Sequence, residues 1–311
     1  MLSRGCPHNC SYCFNKGIRG LYSGKGSWLR FKSTVRIIEE IKYVKSKYTI
    51  KWISFSDDTF NASTGRLQEL LTVYKKEINI PFVCQIRVDS TNEEQIELLK
   101  WAGVDRITIG IEHGDEEFRK RVLNRNYKNK DIERFGKWAR ERKIRVHTQN
   151  IVGFPEETLD MAFKTIEVNS ILKPELAAIN LLQPYPGTEI FDYVKDLGYL
   201  NDDFDFKKII GHDGYYTHSK DNLTSKIKNE YMPQFINLRC FFMLLVWYPW
   251  LKEPVKFLIK LPYNRFYELI YMLTGRTRIF WRYSNWSERA IMAINISKRF
   301  FFRNLSESNS E

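Results

Sequence analysis

The sequence has 311 residues, 43% hydrophobic and 28% charged, enough for one large α/β domain with an appendage and too apolar for wholesale disorder. Five cysteines are an odd number, and three fall within eight positions, which argues against a secreted disulfide framework and for metal binding in a reducing compartment. The net charge of +12 is uneven: Arg239 to Arg303 holds twelve Lys/Arg against three Asp/Glu, so basicity belongs to the C-terminal segment and not to the catalytic part.

The chain opens Met1-Leu2-Ser3-Arg4-Gly5, without the apolar core of a secretory leader, and a cytoplasmic address is expected. Cys6-Pro-His-Asn-Cys10-Ser-Tyr-Cys13 follows, three thiols on one tight loop. A rigid strand should project that loop, but only five residues precede Cys6, so this first strand is truncated or very short. Ser33 caps a helix with Ile37, Ile41, Val44 and Tyr48 on one face. Lys51 to Ser56 reads as a strand, and Ser63 opens a helix whose inner side carries Leu67, Leu70, Leu71 and Tyr74. Pro81 to Val88 is the next strand. Thr91-Asn-Glu-Glu94 fits a capping box for a helix that Gly103 closes.

Arg106 to Ile111 is a strand, followed by a polar helix from about Asp115. A helix from Lys130 to Arg142 leads into a strand at Ile144 to Val152; a helix from Glu156 to Leu172 precedes a strand at Ala177 to Leu182; Gly187 to Leu197 is a last short helix. Repeated βα units without a glycine-rich dinucleotide turn predict an α/β fold, a partial (β/α)6 TIM-type barrel of parallel strands with chemistry at their carboxyl ends. This core spans residues 1–200. The remainder, 201–311, is expected to be a mostly helical, aromatic and basic extension, its polar tail frayed from about Ser306.

The loop carries the chemistry. Four thiolates saturate a [4Fe–4S] cluster, so Cys6, Cys10 and Cys13 leave one iron open, as a reactive centre requires. The competing reading is a zinc site completed by His8 or a distant residue, although no second Cys pair follows at zinc-finger spacing. Cys84 and Cys240 stand alone and read as buried hydrophobes; His147, His212 and His218 lack metal-ligand spacing.

The CxxxCxxC loop with Tyr12 before its last cysteine resembles the signature of radical S-adenosylmethionine (SAM) enzymes. Ser3-Arg-Gly-Cys-Pro is similar to the cobalamin-binding branch of that family, which includes many methyltransferases and some cyclases. The resemblance runs to about Leu200. It implies a cluster whose open iron chelates SAM, reductive cleavage to a 5′-deoxyadenosyl radical, and an external electron donor such as flavodoxin or ferredoxin. Cobalamin is implied by the branch, but its usual N-terminal domain is not in this sequence.

The resemblance extends to further phrases: Asp57-Asp58-Thr-Phe60 at a strand end, Gly110-Ile-Glu112-His-Gly114 with His113 where Ser is usual, Gly153-Phe-Pro-Glu-Glu157, and Pro186-Gly-Thr188. Asp57 and Asp58 suit an ammonium or a ribose hydroxyl, with turn chemistry as the plainer reading. Arg87 suits the SAM carboxylate or a pair with Asp89, and Glu112 suits ribose hydroxyls or a pair with Arg87. Gln149 and Asn150 break an apolar strand near its end, where polar residues face a pocket or meet a desolvation cost. With Tyr12 these are the expected cofactor-binding residues.

Twelve aromatic residues from Phe241 to Trp281 are interleaved with Lys and Arg. That mixture suits a helical cap over the barrel, peripheral contact with an anionic membrane through 240–303, or, less well, nucleic acid. The longest apolar run, Cys240 to Leu251, is twelve residues and carries Pro249, well short of the roughly 20 that span a bilayer. The leading expectation is a radical SAM enzyme of unknown substrate, small or lipid-like, with methylation or cyclisation of a lipid-like or natural-product compound ranked below that. A zinc-stabilised nucleic-acid-binding protein and an RNA-modifying methylthiotransferase are the alternatives.

Overall fold

The computed structural model describes residues 1–200, 204 and 227–274. Five strands, β3 (Ile53–Ser54), β4 (Phe82–Ile86), β5 (Val104–Glu112), β6 (Arg145–Val152) and β7 (Leu176–Leu181), pair in parallel and in sequence order. The sheet curls into a half-barrel with helices outside, the expected partial barrel. Its outer layer comprises α2 (Thr34–Lys47), α3 (Thr64–Glu77), α4 (Glu93–Ala102), α5 (Glu116–Leu123), α6 (Asn129–Glu141) and α7 (Leu159–Leu172), with α8 (Glu189–Asp196) after the last strand.

The expected first strand does not join this sheet. β1 (Ser3–Arg4) pairs antiparallel with β2 (Arg30–Phe31), and α1 (Phe14–Leu21) lies between them in sequence. The reason is local. The Asp57 carboxylate, just beyond β3, accepts hydrogen bonds from the Leu2 and Ser3 amides at 3.0 and 2.5 Å, which fixes the segment by a side chain instead of by a strand partner.

Helix ends follow side-chain chemistry. Ser33 caps α2 through the Arg36 amide, but that helix buries Ile37 and Ile38 and leaves Val44 and Tyr48 in solvent, so the expected apolar face stops near Ile41. On α3 the face is complete, with Leu67, Leu70, Leu71 and Tyr74 inaccessible. The capping box sits one residue later than expected, between Asn92 and Gln95, and Gly103 at φ 102° ends α4 as a left-handed cap. Helix α7 starts at Leu159, capped by Thr158, because Glu156 takes a left-handed backbone at φ 61°.

The C-terminal region is helical in α9 (Met232–Trp247), α10 (Lys252–Leu258) and α11 (Arg265–Thr274). Helix α9 is apolar on nearly all sides because it is enclosed: Phe235, Leu238, Phe241, Phe242 and Leu245 are buried in one cluster with residues of α7, β7 and α11. It thereby covers β7, a strand at the end of the sheet order. Cys84 and Cys240 are buried, as expected of apolar thiols. His212, His218, Phe280, Trp281 and the tail from Ser306 lie outside the described residues. Among the described residues no helix is long and apolar enough to cross a membrane.

Candidate active site

Strand alternation builds a cavity of about 730 Å³ inside the curl. On β5, Ile107, Ile109 and Ile111 point into the core between sheet and helices, so Arg106, Thr108, Gly110 and Glu112 line the cavity. On β6, Gln149 and Ile151 line it. Asn150, expected beside Gln149 at the cofactor, faces the other way: it accepts from Asn169 of α7 at 2.8 Å and donates to the Ala178 carbonyl at 2.8 Å. Successive residues of a strand cannot share one face, so only Gln149 reaches the cavity.

Cys6, Cys10 and Cys13 all face this cavity, at the carboxyl ends of the strands. The loop is held on several sides. Asp57 grips Leu2 and Ser3 before it; the Ser11 hydroxyl donates to the Val122 carbonyl at 2.5 Å; the Ser11 carbonyl accepts from the Ile190 amide at 3.0 Å. Gly5 is required where it stands, since it has φ 85° and an added Cβ would lie 2.6 Å from the Trp28 carbonyl oxygen. Arg87 Nη1 donates to Cys10 Sγ at 3.0 Å and Asn15 Nδ2 to Cys13 Sγ at 3.6 Å. Burial pushes the Cys6 and Cys13 thiols above their ordinary range, so these are thiols that a metal, and not bulk water, would deprotonate.

His8 stands between the first two cysteines of the loop. Its ring approaches Ser90 at 3.5 Å, and burial, reinforced by the Arg87 charge, lowers its pKa to about 4. Among the described residues no three His, Cys, Asp or Glu side chains converge as a single ion requires. A cubane makes no such demand, because each thiolate binds a different iron.

Arg87 is buried and doubly engaged. Its Nε and Nη2 clamp the Asp89 carboxylate at 2.8 and 2.6 Å, and its remaining edge faces the Cys10 sulfur. The Asp89 pair is thus one of the two partners expected of Arg87. Asp57 is likewise committed, both oxygens being taken by the N-terminal segment. Asp58 instead is exposed and lines the cavity.

Glu112 pairs with Arg125, not with Arg87. Its Oε1 accepts from the Tyr12 hydroxyl at 2.8 Å and from Arg125 Nη1 at 3.1 Å, and Arg125 also donates to the Tyr12 oxygen at 2.7 Å and the Gly110 carbonyl at 2.7 Å. This triad ties the cysteine loop to the end of β5. Glu112 reaches it from a left-handed backbone, φ 65°, and Gly110 makes room, because a Cβ there would meet Glu112 Oε1 at 2.0 Å. Burial pushes the Glu112 carboxyl up, against the Arg125 charge. Arg125 escaped the sequence reading: it follows an α5 terminus in a polar stretch, and no local pattern distinguishes it from a solvated arginine.

His113, at the place where the resembled phrase has Ser, serves the scaffold. It is fully buried, its Nδ1 accepts from the Asp115 amide at 3.1 Å, and Nε2 lies 3.3 Å from Glu157. Glu157 in turn accepts from the Gly153 and Phe154 amides at 2.6 and 3.0 Å, so the pair shapes the turn between β6 and α7. Thr188 of the Pro-Gly-Thr turn caps α8.

The profile described as the radical SAM superfamily matches residues 1–168. An uncharacterized methyltransferase of Pyrococcus horikoshii is 31% identical over 194 residues, covering 62% of this chain and 41% of the relative. Hopanoid C-3 methylase of Methylococcus capsulatus is 27% identical, covering 60% of this chain and 35% of that protein. The chain thus spans less than half the length of either. In fold, a radical S-adenosylmethionine methyltransferase of Kitasatospora setae, solved with cobalamin and a [4Fe–4S] cluster, superposes with a TM-score of 0.55 at 20% identity over 63% of this chain and 38% of its own. With its three-thiol loop at the mouth of a half-barrel and a superfamily profile over more than half its length, the chain belongs to the radical SAM superfamily.

Proposed function

We propose that Cys6, Cys10 and Cys13 hold a [4Fe–4S] cluster and that the chain uses it to cleave SAM reductively, the resulting 5′-deoxyadenosyl radical removing a hydrogen atom from a substrate in the cavity. The observation that carries this reading is three thiols of one short loop directed into one cavity. When bound, the cluster supplies the single electron that breaks the sulfonium bond, drawn from a donor such as flavodoxin or ferredoxin.

The chain's own residues prepare that site. Arg87 places a charged N–H against the Cys10 sulfur, and Asn15 a neutral one against Cys13, so both sulfurs are held in place by donors. Asp58 can accept hydrogen bonds from the SAM ammonium or ribose, as Asp57 cannot. Hydrogen bonds to Glu112 fall on Oε1, which leaves Oε2 for a ribose hydroxyl. Tyr12 positions Glu112, and Gln149 offers an amide from the cavity wall. Anaerobic reconstitution with iron and sulfide, then reduction with SAM, should yield 5′-deoxyadenosine, and Cys13→Ala should abolish it. Product that survives that substitution sinks the assignment.

The finer reading is methylation or cyclisation of a lipid-like or natural-product substrate, supported by the methyltransferase names of the relatives and the hopanoid substrate class in one of them. Exposed Trp250, Phe257 and Phe266 beside Lys252, Lys256 and Lys260 support contact with an anionic lipid surface. Co-sedimentation with phosphatidylglycerol vesicles should fall on Trp250→Ser, and unchanged sedimentation would remove that part of the proposal.

A further inference from the structure

Two arginines that line the cavity form no ion pair among the described residues. Arg106 begins the cavity-facing row of β5, and Arg239 enters from α9. Among the described residues neither guanidinium makes a hydrogen bond or an ion pair, and the Nε of each is buried without a partner. The other two arginines at this cavity are matched, Arg87 by Asp89 and Arg125 by Glu112. The acids nearest Arg106 in sequence and across the sheet are engaged elsewhere: Asp105 and Glu175 pair with Arg145, and Glu175 also with His147. Burial lowers the His147 pKa below its ordinary value, and the Arg106 charge adds to that effect.

Both arginines are half-buried, and a partly desolvated guanidinium without a counter-charge attracts an anion, its planar fork matching an oxyanion. SAM is a poor candidate for that oxyanion. Arg106 stands six residues before Glu112 on an extended strand, about 20 Å by strand rise, while the thiols that anchor the proposed SAM site lie at the Glu112 end. Thr108 and Gln149 line the wall between and supply neutral polar contacts.

We propose that Arg106 and Arg239 bind an acidic group of the substrate, a carboxylate or a phosphoryl oxyanion, and so orient its other end toward the thiol loop. This deepens the functional reading above and rests on the same cavity being the active site. It commits the substrate to being an anion, with the acid remote from the carbon that reacts.

The test is calorimetric titration of the iron- and sulfide-reconstituted chain with phenyl phosphate, phenylacetate and the neutral phenylacetamide. At least one anionic probe should bind about tenfold more tightly than the amide, with affinity falling as salt rises. Whether the phosphate or the carboxylate binds better names the acid. Arg106→Gln and Arg239→Gln should each reduce anion affinity about tenfold and leave the amide within about twofold; Arg106→Lys and Arg239→Lys should retain part of the preference. The lysine variants keep the test open if a glutamine variant fails to fold. Equal binding of anion and amide, or an anion preference undiminished in both glutamine variants, overturns the proposal. So does competition between SAM and the anionic probes with SAM binding weakened in the variants, which would make these residues SAM ligands. If the wild-type chain prefers anions in this way but forms no 5′-deoxyadenosine, the radical assignment falls and the anion subsite stands.

Discussion

At the scale of single residues the site is a set of commitments, and the side chains with free valence are fewer than the motif suggests. Asp57 and Asp58 are adjacent and chemically identical, yet Asp57 is buried under two backbone amides and Asp58 is open to the cavity. The sequence makes the pair conspicuous, but a dipeptide carries no information on which member the N-terminal segment will take. The same holds for Glu112, whose partner Arg125 is thirteen positions away and across a helix. Because that pair is buried, removing one charge strands the other. Glu112→Gln should lower unfolding free energy by about 3–5 kcal/mol, measured by urea titration, whereas Tyr12→Phe, which removes a hydroxyl and no charge, should cost about 1 kcal/mol. Equal losses would mean that the ion pair is not the tie between loop and strand.

At the scale of elements, periodicity made most of the fold readable. The apolar face of α3 and the isoleucine row of β5 follow from spacing alone, since a period near 3.6 or 2 leaves one face for the core. Where reading failed, competing local chemistry won. Asn92 outbid Thr91 as a cap, being the residue with an amide oxygen three positions before Gln95, and the glutamate before α7 bent the chain before the helix could start. The β6 pair separates the two roles most clearly. Asn150→Ala should cost about 1–3 kcal/mol of stability by orphaning the Asn169 amide, with SAM turnover intact on a per-folded-molecule basis. Gln149→Ala should leave the melting temperature near wild type and reduce SAM turnover. Reversal of these two outcomes, read by thermal denaturation alongside the 5′-deoxyadenosine assay, would invert the assignment of faces.

At the scale of the whole molecule, the half-barrel has two ends, and both are engaged by one loop. Asp57 holds its approach at the β3 side, Tyr12 and Ser11 fasten its middle near β5, and on the β7 side Ser11 meets Ile190 while α1 presses so closely on the turn before α8 that a Cβ on Gly17 would lie 2.5 Å from the Gly187 carbonyl oxygen. None of these ties is visible in the sequence, because each joins residues far apart in the chain through main-chain atoms or ordinary polar side chains. The C-terminal helices are a similar case: their apolar content was plain, but only the structure shows α9 spending it on β7 and α7.

A loop fastened at three points around an incomplete cylinder acts as a clasp. Whatever tightens it should be felt at both rims together: on loading with iron and sulfide, amide exchange in β3 and β7 should slow in step although neither strand bears a ligand, and Asp57→Ala should uncouple the two. Occupancy of a few sulfur atoms would then be reported as stiffness across the entire sheet.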